Sequence, residues 1–495
     1  MPKFRLSLLF CLSFFSLTAN ANFVFNENCI KAYKNILSLK FNEGALQIAQ
    51  ERKTNPNNKI PVLLENYIDF LKVLTTENNA SFENFKSNKS ARIAIIEDDD
   101  KRSPWYLYAA AEINLQSCIN RFKYLEFVSG AYELQKAYKL LEENQKKFPE
   151  FLPNKKSFAL LYGLIGLVPE QYKWALSSIG LKGNIEQGAA MLEDLTQKLP
   201  KSNYAFFYDE SAFFLSFIYL SKEGDPAIYD KVKLVCDAVP KTNLLGVYVK
   251  ALAASKTGHT DDAIEILMDR PKTANYGAFY HLDYLLGLCK LNRFDNDAVI
   301  YFESYLKNYT GNFNIKDTYL KIAWFHLLRG NIDKYNAYIA LCKIRGKAIS
   351  EKDKDAQNLC LQIYPPDIAL LKARLFFDGG YYDKALLALK DKKVSNFSLT
   401  KEKLEYLYRM GRICHQQNKT EQAIMYYTAT ISSGIGLPYY FAANASLQLG
   451  YIYELKKNYS KASYYYERCN QMKNEEYKNS IETKAKAGLR RIAKL

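Results

Sequence analysis

Glycine and proline are scarce in this chain, 22 and 14 among 495 residues. A sandwich or barrel of short strands needs turn residues at intervals of roughly 8–12 positions, so that supply argues against an all-β fold. Histidine is scarcer still. His259, His281, His326 and His415 stand far apart, none with an i+3 or i+4 partner, which argues against a zinc site. No Gly-x-Ser-x-Gly elbow and no Cys/His signature is present, so nucleophilic catalysis has no visible framework. Gly180-x-x-Gly183 lacks both the Lys-Ser/Thr and the preceding strand of a phosphate loop. Asp98-Asp99-Asp100 is not followed by the spacing of a calcium loop. Only three tryptophans are present, few for an α/α glycosidase, and none of the 52 acidic residues stands out as an isolated pair. No metal and no cofactor is expected, and the chain reads as a non-enzyme.

What is abundant points the other way. Hydrophobic residues make up 48%, with 39 tyrosines and 29 phenylalanines. Many bulky side chains and few turn residues suit helix packed on helix, so the expected fold is all-α. This length is long for one compact core, so several domains or one solenoid are expected.

The first 21 residues read as a signal peptide. Lys3 and Arg5 precede an apolar run from Leu6 to Leu17, and Ala19-Asn20-Ala21 supplies the small residues a signal peptidase reads. Leu8-Leu9-Phe10 places a bulky residue before Cys11, against lipidation there. The expected product is a soluble exported protein beginning at Asn22, in the periplasm or cell envelope. Eight cysteines remain after Cys11, widely spaced and without a Cys-x-x-Cys. On apolar helix faces they read as small buried hydrophobes, with Cys342–Cys360 the pair best placed if one forms.

Basic residues outnumber acidic ones by 68 to 52, a net charge of +16, but the two are interleaved almost throughout. Only the last stretch, 473–495, concentrates cations: Lys478, Lys484, Lys486, Arg490, Arg491 and Lys494. That helix is a candidate for weak contact with an anionic surface. Nucleic acid is not an expected partner of an exported chain.

The clearest pattern lies in Leu404–Met472. Gly411 is followed twelve positions later by Ala423 and four further on by Tyr427, and Gly450, Ala462 and Tyr466 repeat the offsets. Small residues on two successive helices let the backbones approach, and an aromatic one turn past the second fills the space beside them. The small-residue anchors recur as Ala251/Ala263, Gly287/Ala298, Ala323/Tyr335, Ala373/Ala385, Gly411/Ala423 and Gly450/Ala462. First anchors fall 36 to 39 residues apart except for one interval of 50, which places an insertion near 344–366. Tyr335 at a small-residue position predicts a splayed hairpin. This arrangement resembles the tetratricopeptide repeat (TPR), whose period is about 34 residues. A resemblance of that kind implies a superhelical solenoid of antiparallel helix pairs that holds a partner protein or peptide.

The N-terminal part is less regular. Cys29–Asn58 predicts a hairpin turning at Asn42-Glu43-Gly44, and Val62–Leu74 a further helix. Asn78–Ser90 is polar enough to predict a loop in part. Trp105–Asn120 and Phe122–Lys147 predict two long helices. The apolar "GLIGLVP" segment ending at Pro169, the turn after Trp174 and the small face Gly188-Ala189 follow. The order of these elements, from Tyr106 to about Leu192, is similar to the tetratricopeptide-repeat family 39 and its inclusion-body-clearance relatives. Those are intracellular adaptors, so the resemblance carries over no site residue. The expected organisation is a signal peptide 1–21, a divergent helical region 22–200, a TPR-like solenoid 201–472 and a basic capping helix 473–495.

In such a solenoid the first helices line the concave face. The residues flanking the small anchors there are the candidate partner-binding set: Tyr248, Tyr284, Arg374, Tyr408, Arg412, His415, Tyr451 and Glu454. Tyr and Arg dominate binding energy in many grooves, and Arg374 and Arg412 favour an acidic segment. The reading is thus an exported, non-catalytic scaffold for protein–protein interaction. A glycan-binding accessory protein of an outer-membrane uptake system and a helical-repeat hydrolase are the alternatives.

Overall fold

The computed structural model describes residues 22–98, 101–167, 176, 180–181, 183–221, 227–474 and 476–493. The signal segment 1–21, Asp99, Asp100, Pro169, Trp174 and Lys494 lie outside the described residues. Within them the chain forms twenty-four α-helices, three short 3-10 turns and no strand. The fold is all-α, a solenoid of antiparallel helix pairs. No described helix is long and apolar enough to cross a membrane.

The anchors act as their spacing predicts. A Cβ added to Gly411 would stand 2.7 Å from Tyr427 Cδ1, and one on Gly287 2.8 Å from Phe302 Cδ1. Each aromatic sits four residues past the second anchor and is fully buried. Where the first anchor is Ala251 or Ala373, the residue at that position is Leu267 or Leu389, smaller and equally buried. Glycine is thus paired with an aromatic and alanine with leucine, which keeps the filled volume between the helices similar.

Three local expectations are corrected. The first turn lies at Ser38–Lys40, with Leu39 at φ 63°, and Gly44 is inside the helix Phe41–Thr54. It is the small residue of that second helix, placed against Ile36 and the carbonyl of Ala32. Asn78–Ser90 is not a loop. Asn78 caps the helix Asn79–Glu97 by accepting from the Ser81 N–H at 3.0 Å, and Phe82 and Phe85 are buried beneath it. Capping and two buried rings outweigh the polar surface. Nor is the Ala323/Tyr335 hairpin splayed. Ile315–Leu327 and Ile332–Ile344 pack as closely as the glycine-anchored pairs, because Tyr335 joins the cluster that holds Cys360 and Ala356 of the helix Glu351–Cys360. The insertion supplies the room that a small anchor supplies elsewhere.

The central segment packs through glycine. In Leu152–Leu167 and Ile185–Lys198, a Cβ on Gly188 would meet the Ala159 carbonyl at 2.7 Å and the Gly163 nitrogen at 3.0 Å. One buried core then runs from Phe23 to Cys289, so residue 200 marks a change in sequence regularity without a break in packing.

Two long-range closures tie distant turns of the stack together. The Gly277 N–H donates to the Leu39 carbonyl at 2.7 Å, joining the first hairpin to the entry of His281–Arg293. Further on, the turns at Gly258 and Gly380 touch; a Cβ on Gly380 would lie 2.6 Å from the Gly258 Cα, and both residues sit at φ 82°. Phe294 stacks on Phe376 at 4.4 Å beside them. Ile368–Asp378 therefore packs directly on His281–Arg293, and the long interval is folded out of the path of the stack.

Candidate functional site

Along the second half, Leu244–Lys256, His281–Arg293, Ile368–Asp378, Thr400–Gln416 and Tyr440–Leu455 pack in series and form a wall of first helices, with Ile315–Leu327 also set against His281–Arg293. This wall is taken as the inner one, as in stacked repeats of this kind. A cavity of about 240 Å³ opens on this wall, lined by Tyr248, Leu252, His281, Tyr284, Leu285, Asn314, Ser350, Glu351 and Lys352. Tyr248 comes from Leu244–Lys256 and Tyr284 from His281–Arg293, as the sequence places them. The opposite wall is the insertion, whose helix Glu351–Cys360 starts beneath a Ser350 cap that accepts from the Asp353 N–H at 3.0 Å.

Hydrogen bonds fix one side of this cavity. Tyr284 donates its hydroxyl proton to Asp317 at 2.6 Å, and Asp317 also pairs with Lys321 at 3.1 Å. Lys352 donates to the Tyr284 oxygen at 3.3 Å and lies 5.1 Å above its ring. Lys352 is exposed to the recess, yet crowding by the surrounding chain pulls its ammonium below the usual lysine range. Burial pushes the Tyr248 hydroxyl up to about 12. His281 stays neutral, since burial first and then the charges of Lys123 and Lys352 hold it well below the ordinary histidine range. Its Nε2 faces Glu77, itself paired with Lys123 at 2.8 Å.

Farther along the same wall, cations lie on aromatic rings. Lys321 stands 4.0 Å from the Trp324 centroid and Arg374 5.0 Å from it, while Arg412 covers Phe377 at 4.5 Å. Arg374 is also paired with Asp355 at 3.3 Å. Arg412 donates to the Tyr408 hydroxyl at 2.8 Å and, among the described residues, has no carboxylate within ion-pair distance. Its guanidinium is half-buried over the ring, with one N–H group taken by Tyr408.

The remaining candidates are held within the chain. Tyr408 is 2% exposed and packs on Tyr440 and Phe441. His415 approaches the Tyr427 hydroxyl at 3.4 Å. Glu454 accepts from Arg491 at 2.9 and 2.8 Å and from Tyr466 at 2.5 Å, and the Arg491 bonds hold its carboxyl below the usual range. Arg491 also lies over Tyr451 at 5.9 Å. The C-terminal helix Lys478–Ile492 therefore covers the last repeat, and Arg491, one of its five basic residues, is taken up by Glu454. Just before it, Tyr477 reaches back across the wall to Tyr440 at 5.0 Å. Sequence reasoning missed His281, Asn314, Ser350 and Lys352. The one available signal was the 50-residue interval, which marks the insertion but not the side to which it folds.

Among the described residues no group of three or more His, Cys, Asp or Glu is gathered to hold a metal. All eight described cysteines are free and buried.

A family model described as "Tetratricopeptide repeat" matches residues 404–432, the first of the two matching copies. Among solved structures, the human IFIT1 dimer with PPP-AAAA is similar at 14% identity over 90% of this chain and 95% of that one, with a TM-score of 0.34. The APC/C hetero-tetramer Cut9-Hcn1 is similar at 11% identity over 94% of this chain and 95% of that one, with a TM-score of 0.25. No curated protein matches the chain, and none of these comparisons returns the family 39 likeness of the central segment. Residues 404–432 are a TPR unit, and the hairpins before and after it carry the same anchors.

Proposed function

We propose that this protein is an exported, non-catalytic scaffold whose inner wall holds an extended acidic segment of a partner protein. One observation carries the reading: the wall is a row of cations laid on aromatic rings, in which Arg412 lies on Phe377 and, among the described residues, has no carboxylate within ion-pair distance, Asp378 acting on it only from farther away. A stacked guanidinium is pre-ordered, so an arriving carboxylate gains charge-assisted hydrogen bonds with little further loss of side-chain freedom. The faces of these rings are already covered, which disfavours a sugar that would need to stack there and so weighs against the glycan alternative. Export rests on the N-terminal segment, with its short apolar run and Ala19-Asn20-Ala21.

Fluorescence anisotropy with a labelled Asp/Glu-rich peptide tests the groove. The acidic peptide is expected to bind and its Asn/Gln counterpart to fail. Arg412→Ala is expected to weaken binding about tenfold, the equivalent of ~1.4 kcal/mol. Equal binding of both peptides refutes the reading. N-terminal sequencing of the protein recovered from the envelope is expected to begin at Asn22, and recovery of an uncleaved chain in the cytoplasm removes the export part.

A further inference from the structure

We infer that the 240 Å³ cavity between the insertion and the inner wall is a binding site for a small molecule with an anionic head, carboxylate or phosphate, on a compact apolar body. The groups that converge on it are donors. The Tyr248 hydroxyl has no hydrogen-bond partner among the described residues. Lys352 uses one N–H on Tyr284 and has no carboxylate within ion-pair distance among them. Asn314 accepts from the Ser350 hydroxyl at 3.4 Å through its side-chain oxygen, which leaves its NH2 as a third donor.

The carboxylates nearby are already engaged: Glu77, which acts on Tyr248 and His281, is paired with Lys123 at 2.8 Å. Asp317 is taken by Tyr284 and Lys321, and Asp353 by the N–H groups of Asn314 and Asp317 at 2.8 and 3.2 Å. Glu351, at the rim of the cavity, is paired with Lys354 at 2.9 Å. Charge agrees with this donor count. Burial first, and then the charges of Lys321 and Lys256, push the Lys352 ammonium down, while Asp317 is the acid that opposes them. A recess with walls of protein focuses that excess. Leu252, Leu285 and the two tyrosine rings supply an apolar lining. The space far exceeds the ~10–15 Å³ that one water requires.

This site shares no decisive residue with the acidic-peptide groove, which rests on Arg412 and Phe377, so either reading can fail alone. Isothermal titration calorimetry of the full chain with benzoate, phenyl phosphate and neutral benzamide tests it. At least one anion is expected to bind, with benzamide at least tenfold weaker, and the tighter of the two anions identifies the head group. Lys352→Gln is expected to weaken the anion at least tenfold and to leave the melting temperature unchanged, since Lys352 is exposed. Tyr248→Phe is expected to weaken it severalfold. Equal affinity for benzamide, no binding of either anion, or unchanged affinity in Lys352→Gln overturns the assignment.

Discussion

Gly450→Ala probes the close helix contact on which the repeats are built. A Cβ at 450 would lie 2.5 Å from Tyr466 Cδ1 and 2.9 Å from its Cζ. The ring has no room to retreat: it is fully buried, its hydroxyl is bonded to Glu454 at 2.5 Å, and its other side meets Gly488, where a Cβ would lie 2.5 Å from Cζ. Overpacking of this kind costs about 1–3 kcal/mol. Against it, alanine favours the helix over glycine by about 1 kcal/mol. The single change should therefore cost roughly 0–2 kcal/mol.

Tyr466→Ala alone should cost about 3–5 kcal/mol. In that background the clash is gone, so adding Gly450→Ala should stabilise by about 0.5–1 kcal/mol. The sign of one substitution reverses with the identity of its neighbour, a coupling of about 1–3 kcal/mol. Repeat stacks open locally, so hydrogen-exchange mass spectrometry on peptides from 440–492 is the suitable measurement. If Gly450→Ala stabilises equally in both backgrounds, Tyr466 does not occupy the slot left by the glycine and the reasoning fails.

Two further predictions concern buried charge. Lys156 is fully buried, 2.5 Å from Glu210 and 3.3 Å from Glu112, with Tyr67 accepting from it at 3.0 Å. Lys156→Met strands two buried carboxylates and should cost roughly 3–5 kcal/mol by urea unfolding, whereas a loss below ~1 kcal/mol would show that the cluster relaxes or hydrates. His281 protonates near 6.5 when unfolded but stays neutral when folded. Its contribution is therefore fully present above about pH 6.5 and is lost as pH falls, with a slope of up to ~1.4 kcal/mol per pH unit. His326 and His415 are shifted in the same direction. His281→Gln should flatten the acid limb of a stability–pH curve by that share, and an unchanged slope contradicts the assignment.

The parts legible in the sequence were those in which one helix turn predicts the next. Gly411 with Ala423 and Tyr427 is a statement about i, i+12 and i+16, and burial of Tyr427 at 0% follows from it. Asn78–Ser90 failed because composition alone does not reveal a cap and two buried rings. Tyr335 failed because its space comes from residues some twenty positions on. Of the candidate residues, Tyr248 and Tyr284 meet at the cavity, while Glu454 is taken up by Arg491.

The sequence by itself determined that the chain is helical and which small residues let its later hairpins close, because those properties depend on neighbours within a few helical turns. Only the tertiary structure decided that Ile368–Asp378 packs on His281–Arg293, that the insertion faces the wall of first helices, and that Tyr33 reaches Glu210, 177 residues away, at 2.5 Å. Contacts of that kind follow from the summed rotations of many packed helices, and no spacing between residues records such a sum.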